Sequence, residues 1–282
     1  MCRPEGPLTI RRMSREELDT AVGWAAEEGW NPGVHDAGVF YRSYPDGFFA
    51  GTIDDEMVAS VSLVDYPGDL RFGGFYIVRK DLRGSGIGRA ILRFVLESSR
   101  ERNLGADGVK AMLPTYLQYG FKFAHWNHRF QGWGGGERPD GLQPITELNL
   151  DQVVSYDQAI FSAPREAFLR YFTAQEDSVA LASFRGGELA GYGVIRECGV
   201  AHKIGPLFAE DGRTAEKILR GLISKVPGER FFLDVPEPNV EGMAMAQDHH
   251  MEEVFTTARI YTKYAPNVPL GKVFGVTSFE LG

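Results

Sequence analysis

Three glycines, two arginines and a serine between positions 83 and 89 hold the densest chemical information in this chain: Arg83-Gly84-Ser85-Gly86-Ile87-Gly88-Arg89. Gly84, Gly86 and Gly88 remove side chains where a backbone must approach a ligand or adopt positive φ. The run that follows repeats Ile87, Ala90, Ile91, Phe94 and Val95 on one face, the pattern of an amphipathic helix. A helix starting there points its unpartnered N–H groups and positive dipole end into the turn. Arg83 and Arg89 add fixed cationic charge. The chemistry that suits this arrangement is the holding of a diphosphate.

Two common diphosphate sites are poor matches. A P-loop needs a Gly-Lys-Ser/Thr ending, which is missing here. In a dinucleotide fingerprint read from Gly86, the third glycine position falls on Ile91, and five residues separate Val78 from Gly84. Asp107 alone imitates the ribose-binding acid of that motif.

The loop instead resembles the Arg/Gln-x-x-Gly-x-Gly/Ala signature of the GNAT N-acetyltransferase superfamily. A second resemblance follows at the spacing that family shows, Tyr116-Leu-Gln-Tyr-Gly120-Phe121, matching its Tyr-x-x-x-Gly-Phe pattern. The resemblance implies that the loop wraps the diphosphate of acetyl-coenzyme A, a co-substrate used without a metal. It also implies that Tyr76-Ile77-Val78 splays from the neighbouring strand and pairs with the pantetheine arm. Tyr116 would then stand near the thiol. Its phenol, with an ordinary pKa of about 10, is suited to returning a proton to the leaving thiolate.

The remaining chemistry is less sharply marked. Gly73-Gly74 inside the strand expected over 71–78 suggests a bulge that frees a backbone N–H for the thioester carbonyl, or else close packing. That strand lacks the carboxylate that many family members use as a base. Glu28, His35, Asp36 and Asp65 are candidates, and so is a chain of ordered waters. The region of Trp30, Asn31 and Asp36 corresponds to the wall of the acceptor pocket in the superfamily. Trp30 offers an amine a cation–π surface or simply covers the core edge. His125 and His128 fall on one strand at a spacing that places them on opposite faces, so no metal site is expected. Cys198 has no motif-supplied base and is no candidate nucleophile.

These residues need a scaffold, and the chain describes one twice. After a first helix expected over 15–27, strands expected over 48–53, 57–64 and 71–78 precede the helix that opens at the glycine loop. Strands expected over 179–184, 189–195 and 202–208 precede another amphipathic helix over 214–226. Between the halves, 132–144 is rich in glycine and proline and reads as a linker. The resulting division is a first domain over 1–131, the linker, and a second domain over 145–282. Glycines at 132–136 would let the two dock face to face. The fold class is α/β (α+β), two tandem units each with a mixed, mainly antiparallel sheet flanked by helices. The second unit has Phe208-Ala-Glu-Asp-Gly-Arg-Thr214 where the first has its glycine loop, and Glu210 and Asp211 would repel a diphosphate.

Across most of its length the chain resembles a bacterial group of tandem GNAT proteins whose C-terminal domain is degenerate. Glu28-Gly-Trp-Asn-Pro-Gly33 with Asp36, Gly191-Tyr-Gly-Val-Ile-Arg196, Asp234-Val-Pro236 with Asn239, and Arg259-Ile-Tyr261 carry that likeness. The net charge of −8 opposes nucleic-acid binding. The absence of a long apolar run opposes a membrane span. Two scattered cysteines and an N-terminus without a signal-like apolar segment lead to a cytoplasmic expectation. The expected activity is acetyl transfer from acetyl-coenzyme A to a small-molecule or protein amine. The alternatives are an N-acyltransferase with a longer acyl donor and a non-catalytic acyl-coenzyme A-binding regulatory module.

Overall fold

The structure is a computed structural model describing residues 6–161 and 163–282; Cys2 lies outside them. In the first half β1 (Thr9–Arg12), β2 (Phe48–Ile53), β3 (Glu56–Asp65) and β4 (Leu70–Val78) run antiparallel, and β5 (Asn103–Val109) joins β4 in parallel. Helices α1 (Arg15–Glu27) and α2 (Asp36–Ser43) connect β1 to β2, and α3 (Ile87–Ser98) connects β4 to β5. A short α4 (Leu113–Gln118) leads into the long β6 (Lys122–Trp133). The second half opens with β7 (Leu142–Pro144), α5 (Leu150–Phe161) and α6 (Glu166–Phe172). It continues through β8 (Ser178–Arg185), β9 (Glu188–Glu197), β10 (His202–Ala209) and α7 (Gly212–Ile223). Then come β11 (Arg230–Pro236), α8 (Val240–Asp248), β12 (Glu252–Tyr261) and β13 (Val273–Gly275).

Local chemistry explains the main helices. Ser14 caps α1 in a capping box with Glu17, and the helix buries Leu18, Ala21 and Ala25. The expected stripe of α3 is buried at Ile87, Ile91 and Val95 and half-buried at Ala90 and Phe94; Leu92, outside that stripe, is buried beside them in one cluster with Val61 and Leu63 of β3. On α7, Ile218 and Leu222 press on β9 so closely that a β-carbon at Gly193 would lie 3.0 and 3.1 Å from them. No described helix is long and apolar enough to cross a membrane.

The halves meet differently from the face-to-face docking expected of a flexible linker. β6 leaves the first half and pairs antiparallel with β11, from Trp133 opposite Arg230 to Asn127 opposite Pro236. β12 in turn leaves the second half and lies between β5 and β6. Each half is thus completed by a strand of the other, and all thirteen described strands form one sheet. Gly132 and Trp133, expected in the linker, belong to β6. Gly132 is a packing glycine, because a β-carbon there would meet the Phe231 ring at 2.6 Å. Gly135 and Gly136 do use positive φ, at +138° and +81°.

Three arginine–carboxylate pairs cross the seam, two of them buried and the third, Arg259–Asp107, half-buried. Arg129 donates to Asp234 at 2.6 and 2.8 Å. Arg196 donates to Asp36 at 2.9 and 3.2 Å, and Arg259 to Asp107 at 2.8 and 2.7 Å. Five of these six residues are ones the sequence offered for other reasons: Asp36 as a pocket wall, Asp107 as a ribose ligand, and Arg196, Asp234 and Arg259 as marks of a group.

Candidate active site

The site begins where β4 and β5 part. They pair from Leu70 opposite Asn103 to Gly73 opposite Ala106, and β5 then continues on β12 alone. On the other side of β4 the ladder slips: Gly74 opposes Ser62 but Ile77 opposes Ser60, so β4 carries one extra residue. Phe75 takes up that residue at φ +46°, a strained setting for an aromatic side chain. Its ring is held against Phe40 and Phe48, and its carbonyl accepts from Ser60 Oγ at 2.6 Å. The bulge therefore sits one residue beyond the expected Gly73-Gly74. Gly74 serves close approach instead: a β-carbon there would lie 2.4 Å from the carbonyl oxygen of Glu280. A cavity of about 490 Å³ fills the divergence.

At the outer end of this cavity lies the glycine loop. Gly84 and Gly86 adopt φ +81° and +95°, and a β-carbon on either would meet nothing within 4 Å. They serve the turn and leave open space beside it. Gly88 has a different task. Tyr76 donates its hydroxyl to the Gly88 carbonyl at 2.8 Å, and a β-carbon on Gly88 would lie 2.9 Å from that hydroxyl oxygen. Helix α3 starts at Gly86 without a side-chain cap and without an acid in its first turn. Its free N–H groups are therefore available to an anion. Tyr76, Ile77, Val78, Arg83, Gly84 and Gly88 line the cavity. Ile87 instead packs into the core, Ser85 donates to the Leu82 carbonyl at 2.6 Å, and Arg89 is exposed. Arg83 is partly engaged already, to the Val78 carbonyl at 3.0 Å and to Glu28 at 2.6 Å. An uncapped helix end, open glycines and nearby cations fit the diphosphate of an acyl-coenzyme A.

Tyr116 lies on the opposite wall of the divergence, over β5. Its ring occupies the space above Gly108, where a β-carbon would come within 2.5 Å of Cε2. The Tyr-x-x-x-Gly-Phe pattern is a helix-ending device. Gly120 at φ +89° donates to the Leu117 carbonyl at 3.1 Å, and Phe121 donates to the Tyr116 carbonyl at 3.2 Å. These are the two hydrogen bonds of a Schellman motif, whose customary apolar contact is the Tyr116–Phe121 ring pair at 5.8 Å. The motif thus fixes the tyrosine's position from both sides. Burial, with Tyr76 nearby, pushes the Tyr116 phenol above its ordinary pKa, so it stays protonated at neutral pH.

The acceptor side departs further from expectation. Trp30 lines the cavity, and its carbonyl accepts from Arg129 at 2.8 Å and Lys203 at 3.3 Å. Asn31 and Asp36 do not line it. Asn31 is buried at φ +51° and accepts from the Val200 N–H at 3.0 Å, while Asp36 is engaged by Gly33 and Arg196. The base candidates all have partners: Glu28 holds Arg83, His35 holds Asp177, Asp36 holds Arg196, and Asp65 holds Arg71 and Arg102. Glu28 still lines the cavity. Sequence reading missed Phe255 and Thr257 of β12 and Phe279 and Glu280, which line it from the second half. One signal was present: Glu280 is the only charged residue in the apolar run Val273-Phe-Gly-Val-Thr-Ser-Phe-Glu-Leu-Gly282.

The second half repeats the divergence and fills it. β10 and β11 pair in parallel from His202–Ile204 to Phe231–Leu233. Beyond that, β13 lies along β10 at Leu207 and Phe208, and the Val276 N–H donates to the Asp234 carbonyl at 2.8 Å. The N-terminus of α7 is claimed by this chain's own carboxylates. Asp211 accepts from the Thr214 N–H at 2.8 Å, and Glu241 from the Gly212 N–H at 2.7 Å. Glu210 pairs with Lys272 at 2.7 Å.

Residues 12–121 match the acetyltransferase (GNAT) family, and residues 153–275 match an acetyltransferase (GNAT) domain. A holothin acyltransferase from Pseudoalteromonas sp. (strain SANK 73390) is 30% identical over 277 residues, 97% of this chain and 94% of that protein. A solved structure of a candidate acetyltransferase from Pyrococcus horikoshii superposes with a TM-score of 0.84 at 19% identity, covering 98% of this chain and 96% of that one. A tandem GNAT protein from the clavulanic acid biosynthesis pathway, solved without AcCoA, gives 0.66 at 14% identity over 93% of this chain and all of its own.

Proposed function

Because this chain belongs to the GNAT acyltransferase family, we propose that its first half transfers an acetyl group from acetyl-coenzyme A to the nitrogen of an amine acceptor. One observation carries the reading: the divergence of β4 from β5 opens directly beside the uncapped end of α3. The free N–H groups of that helix, with Gly84, Gly86 and Arg83, hold the diphosphate. The edge of β4 beyond Gly73 offers backbone groups to the pantetheine arm. In this reading, backbone donors at the Phe75–Tyr76 bulge polarise the thioester carbonyl. Tyr116, neutral and half-buried on the facing wall, returns a proton to the sulfur as the carbon–sulfur bond breaks.

The acceptor meets a surface drawn from both halves: Trp30 and Glu28 from the first, Phe255, Thr257 and Phe279 from the second. Phe75, Phe255 and Phe279 also favour a second reading, in which the donor carries a longer acyl chain. The name of the Pseudoalteromonas relative, an acyltransferase, supports that reading equally. The test is coenzyme A release by the full chain with acetyl, butyryl and hexanoyl donors against a panel of primary amines. Amine-dependent release, highest with acetyl, is the expected result. A preference for longer donors selects the second reading, and donor binding without release on any amine overturns both.

A further inference from the structure

Residues 276–282 run from the filled divergence of the second half into the open divergence of the first. Val276 is bonded to Asp234 of β11, and at the far end the Leu281 carbonyl accepts from the Tyr66 hydroxyl at 2.8 Å. Between them, the backbone of Glu280 crosses Gly74, the residue after the last β4–β5 pair. The crossing delivers Glu280 to the root of the cavity, where it lines the wall and is 1% exposed.

Among the described residues, neither oxygen of the Glu280 carboxylate has a hydrogen-bond partner. Arg129, Arg196 and Lys203 lie near enough to feel its charge, with Asp36, Asp234 and Cys198 in the same cluster. Arg129 and Arg196 are claimed by Asp234 and Asp36 in two-pronged pairs. Lys203, whose ammonium form burial disfavours, donates to the Trp30 carbonyl. Glu280 is left over. A buried carboxylate without a hydrogen bond is costly, and folds retain such a group where something binds it. Thr257 Oγ1, from the same cavity, is a second buried polar atom without a partner among the described residues.

We propose that Glu280 is a catalytic residue on the acceptor side, binding the ammonium group of a basic amine and taking its proton. The inference rests on the acyl-transfer reading of the first half. One ammonium N–H bond breaks as an O–H bond forms on Glu280. The freed lone pair makes a carbon–nitrogen bond at the thioester carbonyl carbon. The carbon–sulfur pair leaves with sulfur, which takes a proton from Tyr116. The nitrogen loses its second excess proton to the tyrosinate, and Glu280 releases the first to solvent.

The experiment compares the wild-type chain with Glu280→Gln and Glu280→Asp, using acetyl-coenzyme A with a panel of alkyl amines, protonated at pH 7, and hydrazides, neutral at pH 7. Donor affinity is measured by calorimetry and folding by circular dichroism. Both variants are expected to fold and to bind the donor within about threefold of wild type. Glu280→Gln should lose about 10²–10⁴-fold in kcat/KM for alkyl amines, lose the acidic limb of the pH–rate profile, and keep most activity on hydrazides. Glu280→Asp should restore part of the alkyl-amine rate. An unchanged pH profile in Glu280→Gln, or equal losses on amines and hydrazides in folded protein, overturns the proposal. Failure of the acyl-transfer reading is seen separately, as wild-type chain that binds donor but transfers to no amine.

Discussion

Gly108 and Tyr116 share one space: a β-carbon on the glycine would lie 2.5 Å from Cε2 of the tyrosine ring. Strand β5 and helix α4 meet at this contact, which sets how far the phenol reaches into the cavity. Tyr116→Phe keeps the ring on Gly108 and the edge contact with Phe121 but deletes the proton donor. It should lower kcat by about 10²–10⁴-fold with little change in the KM for the acyl donor. Gly108→Ala keeps the hydroxyl and displaces the ring, so it should also lower kcat. Steady-state kinetics on both variants separates the two requirements. Full kcat in Tyr116→Phe, with chemistry rate-limiting, reduces the tyrosine to a packing residue.

The donor should bind once per chain. In the first half the end of α3 is uncapped and Gly86 faces open space, whereas α7 is capped by Asp211 and its first N–H is taken by Glu241. β13 fills the second divergence as well. Calorimetry with acetyl-coenzyme A should give a stoichiometry near one. Gly86→Asp should abolish binding, since it adds strain at φ +95° and a like charge beside the phosphates. Two equivalent sites, or a site that survives this change, would contradict the assignment.

His125 supplies a pH signature. Burial first, and then the charge of Arg259, lower its pKa from 6.5 to about 3. The unfolded chain takes up this proton near pH 6.5 and the folded chain does not, so stability present above pH 6.5 is lost as pH falls toward 3. The slope for one proton reaches at most about 1.4 kcal/mol per pH unit. Urea unfolding of the wild type and His125→Gln, from pH 7 to pH 4, should show the gap between their stabilities changing across that window. A constant gap shows that the ring titrates normally.

What the sequence revealed was whatever local chemistry encodes. The glycine loop and the stripes of α3 and α7 each follow from residues within one or two turns of each other. The Tyr-x-x-x-Gly-Phe signal is a Schellman ending, and it too lies within six residues. The strand exchange is invisible at that range, because nothing local in β6 or β12 names their neighbours. For the same reason Asp36 and Asp107 read as ligands. Their partners, Arg196 and Arg259, lie 160 and 152 positions away. Glu280 reaches the cavity only through a path across both halves.

That exchange leads to the last prediction. Residues 1–131, expressed alone, lack β12, so β5 and β6 lose the strand that lies between them. Asp36, Asp107 and Arg129 also lose Arg196, Arg259 and Asp234, leaving three buried charges without counterparts. Breaking one such pair costs about 3–5 kcal/mol, and a whole domain is stable by only about 5–15 kcal/mol. The fragment should therefore fail to fold, showing no cooperative thermal transition and no acetyl-coenzyme A binding. Splitting the chain instead between Asp140 and Gly141, after β6 and before β7, keeps every strand on one fragment or the other. The two pieces, co-expressed, should purify as a one-to-one complex that unfolds cooperatively and binds the donor. A folded, donor-binding 1–131 fragment would show that the first half completes its sheet without β12 and that the exchange is dispensable.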